Sequence, residues 1–212
     1  MSTVRDARGF SLLEMLVAIG IVLVVGVGAV SFIRAQSVAL HTQMAQTDIN
    51  DEARSVVEFM AREIRLAGYN PRCILAPPPV AAIVSAAPQQ LRIQYDLNEN
   101  GVLDAAASAS EDVTYQYNST AHTIERVVGG ATTDLATDVP STGFALRYYQ
   151  SSGVEVVGSG AGGALTAAEM AAVYSISIKF VPAKVADART TTDVRADLFT
   201  SVLLRNRYYP CA

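Results

Sequence analysis

The feature that most constrains this chain is the run Met15 to Ile33, MLVAIGIVLVVGVGAVSFI, which carries no charge. Wound as a helix rising about 1.5 Å per residue, such a run crosses the hydrocarbon core of a bilayer. Ahead of it Arg5 and Arg8 outnumber Asp6, a bias that holds the N-terminus in the cytoplasm and sends everything after Arg34 across the membrane. A secretory signal has an apolar core of about 7 to 15 residues and a small-residue cleavage site, so this run is too long to be one. Glu14 interrupts the start of the stretch. A carboxylate at membrane depth costs about 2.5 to 3.5 kcal/mol on insertion scales; it either reaches back to the interface beside the helix N-terminus or meets a cationic partner.

The residues around Glu14 decide between these. Gly9-Phe10-Ser11-Leu12-Leu13-Glu14, followed by the unbroken apolar segment, resembles the processing site of type IV prepilins and pseudopilins. In that family a membrane prepilin peptidase cuts after the glycine and methylates the new N-terminus. The resemblance therefore implies a leader 1–9 cleaved after Gly9, a methylated Phe10, and Glu14 as the assembly residue. A neighbouring subunit's Glu14 would neutralise the cationic Phe10 amine inside the low-dielectric filament core, where that attraction is strongest. Many major pilins carry a proline in the apolar stem, whereas the first proline here is Pro71.

Beyond the span, Arg34 to Ala67 contains neither proline nor glycine, and Ile49, Ala53, Val56, Val57, Met60, Ile64 and Ala67 recur at spacings of three and four. This predicts an amphipathic helix whose other face, Asp51, Glu52, Arg54, Ser55, Glu58, Arg62 and Arg65, is solvated. Gly68 and Pro71 stop it, so one stem helix is expected over 10–68, its membrane part over about 10–34. A head domain, 69–212, follows. Tyr69 to Gln90, with Pro77-Pro78-Pro79, reads as an irregular connector. Strands are predicted at Leu91 to Tyr95, Val113 to Tyr117, Thr123 to Val128, Phe144 to Tyr149, Val173 to Val181 and Leu198 to Leu204. The fold class is thus α+β, a long N-terminal helix whose amphipathic half packs on an antiparallel β-sheet, which is also what the resemblance to the type IV pilin fold implies.

Within that family the helix ending Met60 to Tyr69 and the terminal Ser201-Val202-Leu203-Leu204-Arg205-Asn206 look most like minor pilins of the PilW type and their GspJ-type pseudopilin counterparts. This implies a minor pilin that primes type IV pilus assembly and sits at the pilus tip, where adhesion occurs; the alternative is a minor pseudopilin of a type II secretion system. The implied partners are other minor pilins and the major pilin, met through the N-terminal helix, and the prepilin peptidase. Before assembly the chain would be a single-pass inner-membrane protein with a periplasmic head, and afterwards part of the extracellular filament.

Three further motifs bear on chemistry. Asp96-Leu97-Asn98-Glu99-Asn100-Gly101-Val102-Leu103-Asp104 opens like a calcium loop, D-x-N-x-N-G, with oxygens at alternate positions and a glycine for the turn. Asp96, Asn98, Asn100, the Val102 carbonyl and Asp104 would need one more carboxylate, from Glu111 or Asp112. An EF-hand's bidentate glutamate falls at Ala107, so this is no EF-hand, and the same residues also spell a plain Asn-Gly turn. Cys73 and Cys211, the two cysteines, form no CxxC pair; in an exported compartment they are candidates for one disulfide tying the connector to the last strand. Gly158-Ser159-Gly160-Ala161-Gly162-Gly163 matches GxGxxG, but no run of βαβ units surrounds it, and Thr166-Ala167-Ala168-Glu169 reads as a capping box opening a short helix.

Composition excludes other classes. A net charge of -4 and an apolar content of 50% fit neither a disordered chain nor a nucleic-acid-binding surface, and no nucleic acid partner is predicted. The only histidines are His41, on the stem, and His122, and there is no HExxH, GxSxG or reactive CxxC, so no enzyme is expected. The competing reading, an anchored hydrolase, would have to use His122 with a nearby Ser or Asp.

Overall fold

The computed structural model describes residues 11–71, 82–104, 110–185 and 193–206. Gly9, Phe10, Cys73, Ala107 and Cys211 lie outside them. The chain divides into two compact units, Met1–Met44 and Ala45–Ala212. Helix α1, Leu12–Leu66, supplies the described helical residues of the first unit and opens the second.

In the first unit the helix carries no charge between Met15 and Ile33 and is exposed there: Val22 is 69%, Val25 64% and Phe32 63% accessible. A helix surface of this composition is suited to lipid rather than water. It is long and apolar enough to span a membrane.

In the second unit α1 buries Ile49, Ala53, Val56, Val57, Met60, Ala61, Glu63 and Ile64, the stripe expected from spacing with a carboxylate set into it. The stripe packs into a core with inward residues of two antiparallel sheets. The first sheet is a five-stranded meander of β1 (Ile83–Ala87), β2 (Gln90–Gln94), β3 (Asp112–Asn118), β4 (Thr123–Val128) and β5 (Ala131–Ala136). The second has the order β11-β8-β6-β7, built from β6 (Phe144–Tyr149), β7 (Glu155–Val156), β8 (Ser175–Phe180) and β11 (Leu198–Leu203). A ribbon of β9 (Ala183–Val185) and β10 (Asp193–Arg195) and a short helix α2 (Ala167–Ala172) complete the described elements.

All six strands expected from alternation are present. The structure adds β5, β7, β9 and β10, which the sequence reading does not predict, and differs from it in two further ways. Ile83–Ala87 is a strand, not connector, paired with β2 from Ile83↔Ile93 to Ala87↔Gln90. The strands also separate into two sheets, which the β1–β2 turn joins: Leu146 N–H donates to the Pro88 carbonyl at 2.7 Å, and the buried Tyr148 hydroxyl donates to the Ala87 carbonyl at 2.8 Å. Tyr148 thereby contributes apolar area to the core while its one polar atom is satisfied.

The C-terminal end of α1 is closed from both sides. Gly68, at φ +80°, turns the chain out of the helix, and its N–H donates to the Gln94 carbonyl at 2.8 Å. Asn206, just past β11, donates through Nδ2 to the Arg65 carbonyl at 3.2 Å, covering one of the acceptors every helix end leaves open.

Candidate functional site

Three places combine chemistry with placement. The first is the start of α1. Ser11 Oγ accepts the Glu14 N–H at 3.2 Å while Glu14 Oε2 accepts the Ser11 N–H at 3.4 Å, the reciprocal pattern of a capping box. Within one chain Glu14 therefore holds the first turn of the helix. Its carboxylate is exposed in the first unit and open to a cation from another molecule.

The second is buried in the head, where sequence reasoning missed it. Glu63 stands on the apolar stripe of α1, and Arg126 of β4 forks onto it, with Nη2 at 2.8 Å from Oε1 and Nε at 3.0 Å from Oε2. The Tyr115 hydroxyl of β3 donates to the same carboxylate. Burial pushes the phenols of Tyr115 and Tyr95 well above their ordinary range, and the negative charge of Glu63 pushes them further, so both stay neutral. For Arg126, burial works against the charge, but the hydrogen bonds and charge of Glu63 outweigh it and hold the guanidinium protonated. The guanidinium also lies 5.7 Å from the centre of the Phe59 ring. The cluster ties the stem helix to the sheet, since one carboxylate on α1 takes hydrogen bonds from both β3 and β4. Its signal in the sequence is an acidic residue falling on the buried stripe.

The third is the loop Asp96–Asp104, between β2 and β3. Asp96 is 0% exposed. Its Oδ2 accepts the Gly101 N–H at 3.0 Å from across the loop, whereas Oδ1 has no hydrogen-bond partner among the described residues. Gly101 has φ +79°, the conformation that glycine supplies at such a turn. Asn98 Oδ1 accepts the Asn100 N–H at 2.9 Å and Asn100 Oδ1 accepts the Val102 N–H at 2.7 Å, while both amide nitrogens donate to Asp104 Oδ2, at 2.9 and 3.0 Å. The buried Glu111 staples the base of the loop, accepting from the N–H groups of Leu97, Asn98 and Asp104 at 3.0, 3.1 and 2.8 Å. Asp112 instead turns away to Arg92 and Gln94, and these hydrogen bonds, Arg92's first, hold its carboxyl below the usual range. No group of three or more His, Cys, Asp or Glu placed to hold a metal occurs among the described residues.

The glycine-rich match has a local explanation. A Cβ on Gly158 would stand 2.1 Å from the Gly163 carbonyl oxygen and one on Gly160 2.7 Å from that of Ala164, so those glycines let the backbone fold tightly on itself. The expected capping box is present, Thr166 with Glu169, and α2 starts there. His122, in an exposed turn at φ 57°, meets the Tyr117 hydroxyl at 3.1 Å, which gives it a turn-holding contact.

Two family profiles match the chain. One, described as prepilin peptidase-dependent protein B, covers residues 42–162, more than half of the sequence. The other, the prokaryotic N-terminal methylation motif, covers residues 4–30 and so spans Gly9, Phe10 and Glu14. No curated protein and no solved structure matches.

Proposed function

We propose that this chain, which belongs to the prepilin peptidase-dependent protein B family, is a minor subunit that primes assembly of a filament rooted in the inner membrane and remains at its tip. At the coarser level it is a pilin- or pseudopilin-like subunit of the class processed by prepilin peptidase, structural rather than catalytic, with a single N-terminal helix suited to anchoring its precursor in a membrane. The observation that carries the proposal is the join of a matched methylation motif, on an exposed apolar helix, to a matched head that buries the following turns of the same helix.

The mechanism follows from charge and solvent. Cleavage after Gly9 would leave a cationic amine at Phe10, and the exposed Glu14 of an adjacent subunit supplies its counter-charge in the filament core. Each such pair fixes one subunit's axial position against the next, while apolar packing of the stems replaces lipid around them. Major and minor pilins are the neighbours this contact selects.

The machine has two readings. The profile names dependence on prepilin peptidase and no pilus, and to that extent it favours a minor pseudopilin of a type II secretion system over a minor pilin of the PilW type. Deletion with separate assays of surface pili and of exoprotein release decides between them. Loss of secretion alone selects the pseudopilin; loss of pili alone selects the pilin. If both are unchanged in a strain with functioning machines of both kinds, the priming role is wrong.

A further inference from the structure

We propose that the Asp96–Asp104 loop binds one calcium ion and that the ion braces the junction between α1 and the head. The carrying observation is the Asp96 carboxylate: fully buried and turned into the loop by its bond to Gly101, it leaves Oδ1 without a partner. A buried carboxylate oxygen left unpaired is costly, and a cation at that point removes the cost.

The surrounding atoms suit a hard cation. Asn98 and Asn100 present side-chain oxygens that each use one lone pair on a backbone N–H, leaving the other for a ligand bond. With Asp96, the Val102 carbonyl and the Asp104 carboxylate they make five oxygen donors and no nitrogen or sulfur, the chemistry of calcium rather than zinc or iron. Since Glu111 is held by backbone N–H groups, water supplies the rest of the shell in place of a further carboxylate. As it stands, two Asn amide groups point their hydrogens at Asp104 Oδ2, a pair of dipoles where the negative charge calls for a cation. Glu111 is the frame of this site, since three backbone N–H groups hold it at the loop's base.

The loop is also the part of the head that holds the end of the stem. Asp96 N–H donates to the Tyr69 carbonyl at 2.7 Å, and the Tyr69 hydroxyl donates to Glu99 Oε1 at 2.8 Å. An ion that fixes Asp96 and Asp104 therefore fixes the turn that ends α1. Extracellular calcium modules bind at about 10⁻⁴ to 10⁻³ M, and magnesium, which demands a small octahedral shell and keeps its waters, is a poor substitute.

The test is calorimetric titration of calcium chloride into the full chain, purified in detergent and stripped with chelator, alongside its melting temperature with and without calcium. One ion per chain, a raised melting temperature, little response to magnesium chloride, and binding weakened at least ten-fold in Asp96→Asn and in Asn100→Ala are expected. Asn100 is exposed, so that variant leaves the core intact, checked by unchanged melting in chelator. Absence of calcium heat and of any melting shift in the unsubstituted protein overturns the proposal, as does undiminished binding in both variants.

Discussion

Arg126 and Glu63 meet as a two-point fork, Nη2 to Oε1 at 2.8 Å and Nε to Oε2 at 3.0 Å, joining β4 to the buried face of α1. The two side chains keep only 14% and 12% of their surface exposed, so the pair is mostly desolvated. In such a pair the loss of one partner matters more than the net value of the bond, because the survivor is left charged and unpaired.

Glu63→Ala is expected to destabilise the head by about 3 to 5 kcal/mol, and Arg126→Ala by a similar amount. The double variant Glu63→Leu, Arg126→Leu should lose much less than the sum of the two, since no charge is stranded. Chemical denaturation of the four proteins checks this; additive losses would show that the residues act independently.

Closure of α1 is a second weak point. Gly68→Ala introduces a Cβ 3.0 Å from that of Ala82 at φ +80°, and should cost about 1 to 2 kcal/mol through backbone strain and crowding together. Asn206→Ala removes the donor to Arg65 O, worth about 0.5 to 1.5 kcal/mol. Amide exchange in the last turn of α1 should quicken in both, with other helix amides less affected.

The pH dependence of the α2 start follows from Glu169. Its carboxyl is pulled down to about 2, first by the Thr166 backbone N–H and then by contacts with Ser159. Because the folded value lies below the ordinary 4.5, the cap contributes fully above that pH and is lost as pH falls through about 2. A carboxyl-carbon titration by NMR should place the Glu169 midpoint near 2; a midpoint at the ordinary 4.5 contradicts the cap.

A Cys73–Cys211 bridge is expected from the exported compartment. Closing so long a loop contributes about 4 to 5 kcal/mol in the chain-entropy model. Native protein should resist alkylation until reduced, then take up two labels and melt at a lower temperature; two labels without reduction would exclude the bridge.

What the sequence made legible is governed by periodicity. The stripe from Ile49 to Ala67 could be read residue by residue, because a helix on a sheet buries every third or fourth position. β6 and β8 were equally plain, since one face of each is buried and alternation survives. β5 was not: Ala131 to Asp134 are all exposed and the last three are polar, so burial leaves no imprint. β1, Ile-Val-Ser-Ala-Ala beyond a proline tract, has too few β-branched residues to be distinguished from a connector. Glu63 was overlooked for a different reason. Its partner lies far along the chain, and one sequence shows the acid on the stripe without showing Arg126 beside it. The Asp96 loop was the reverse, a motif visible in sequence whose orphaned oxygen only the fold reveals.

The central claim is tested most directly by the mass of the N-terminus. Protein recovered from the membranes of cells with an active prepilin peptidase should yield an N-terminal peptide beginning at Phe10, its amine carrying one methyl group, and the same protein from a peptidase-deficient strain should retain residues 1–9. An intact leader in both strains, or a cut elsewhere than after Gly9, would contradict the assignment.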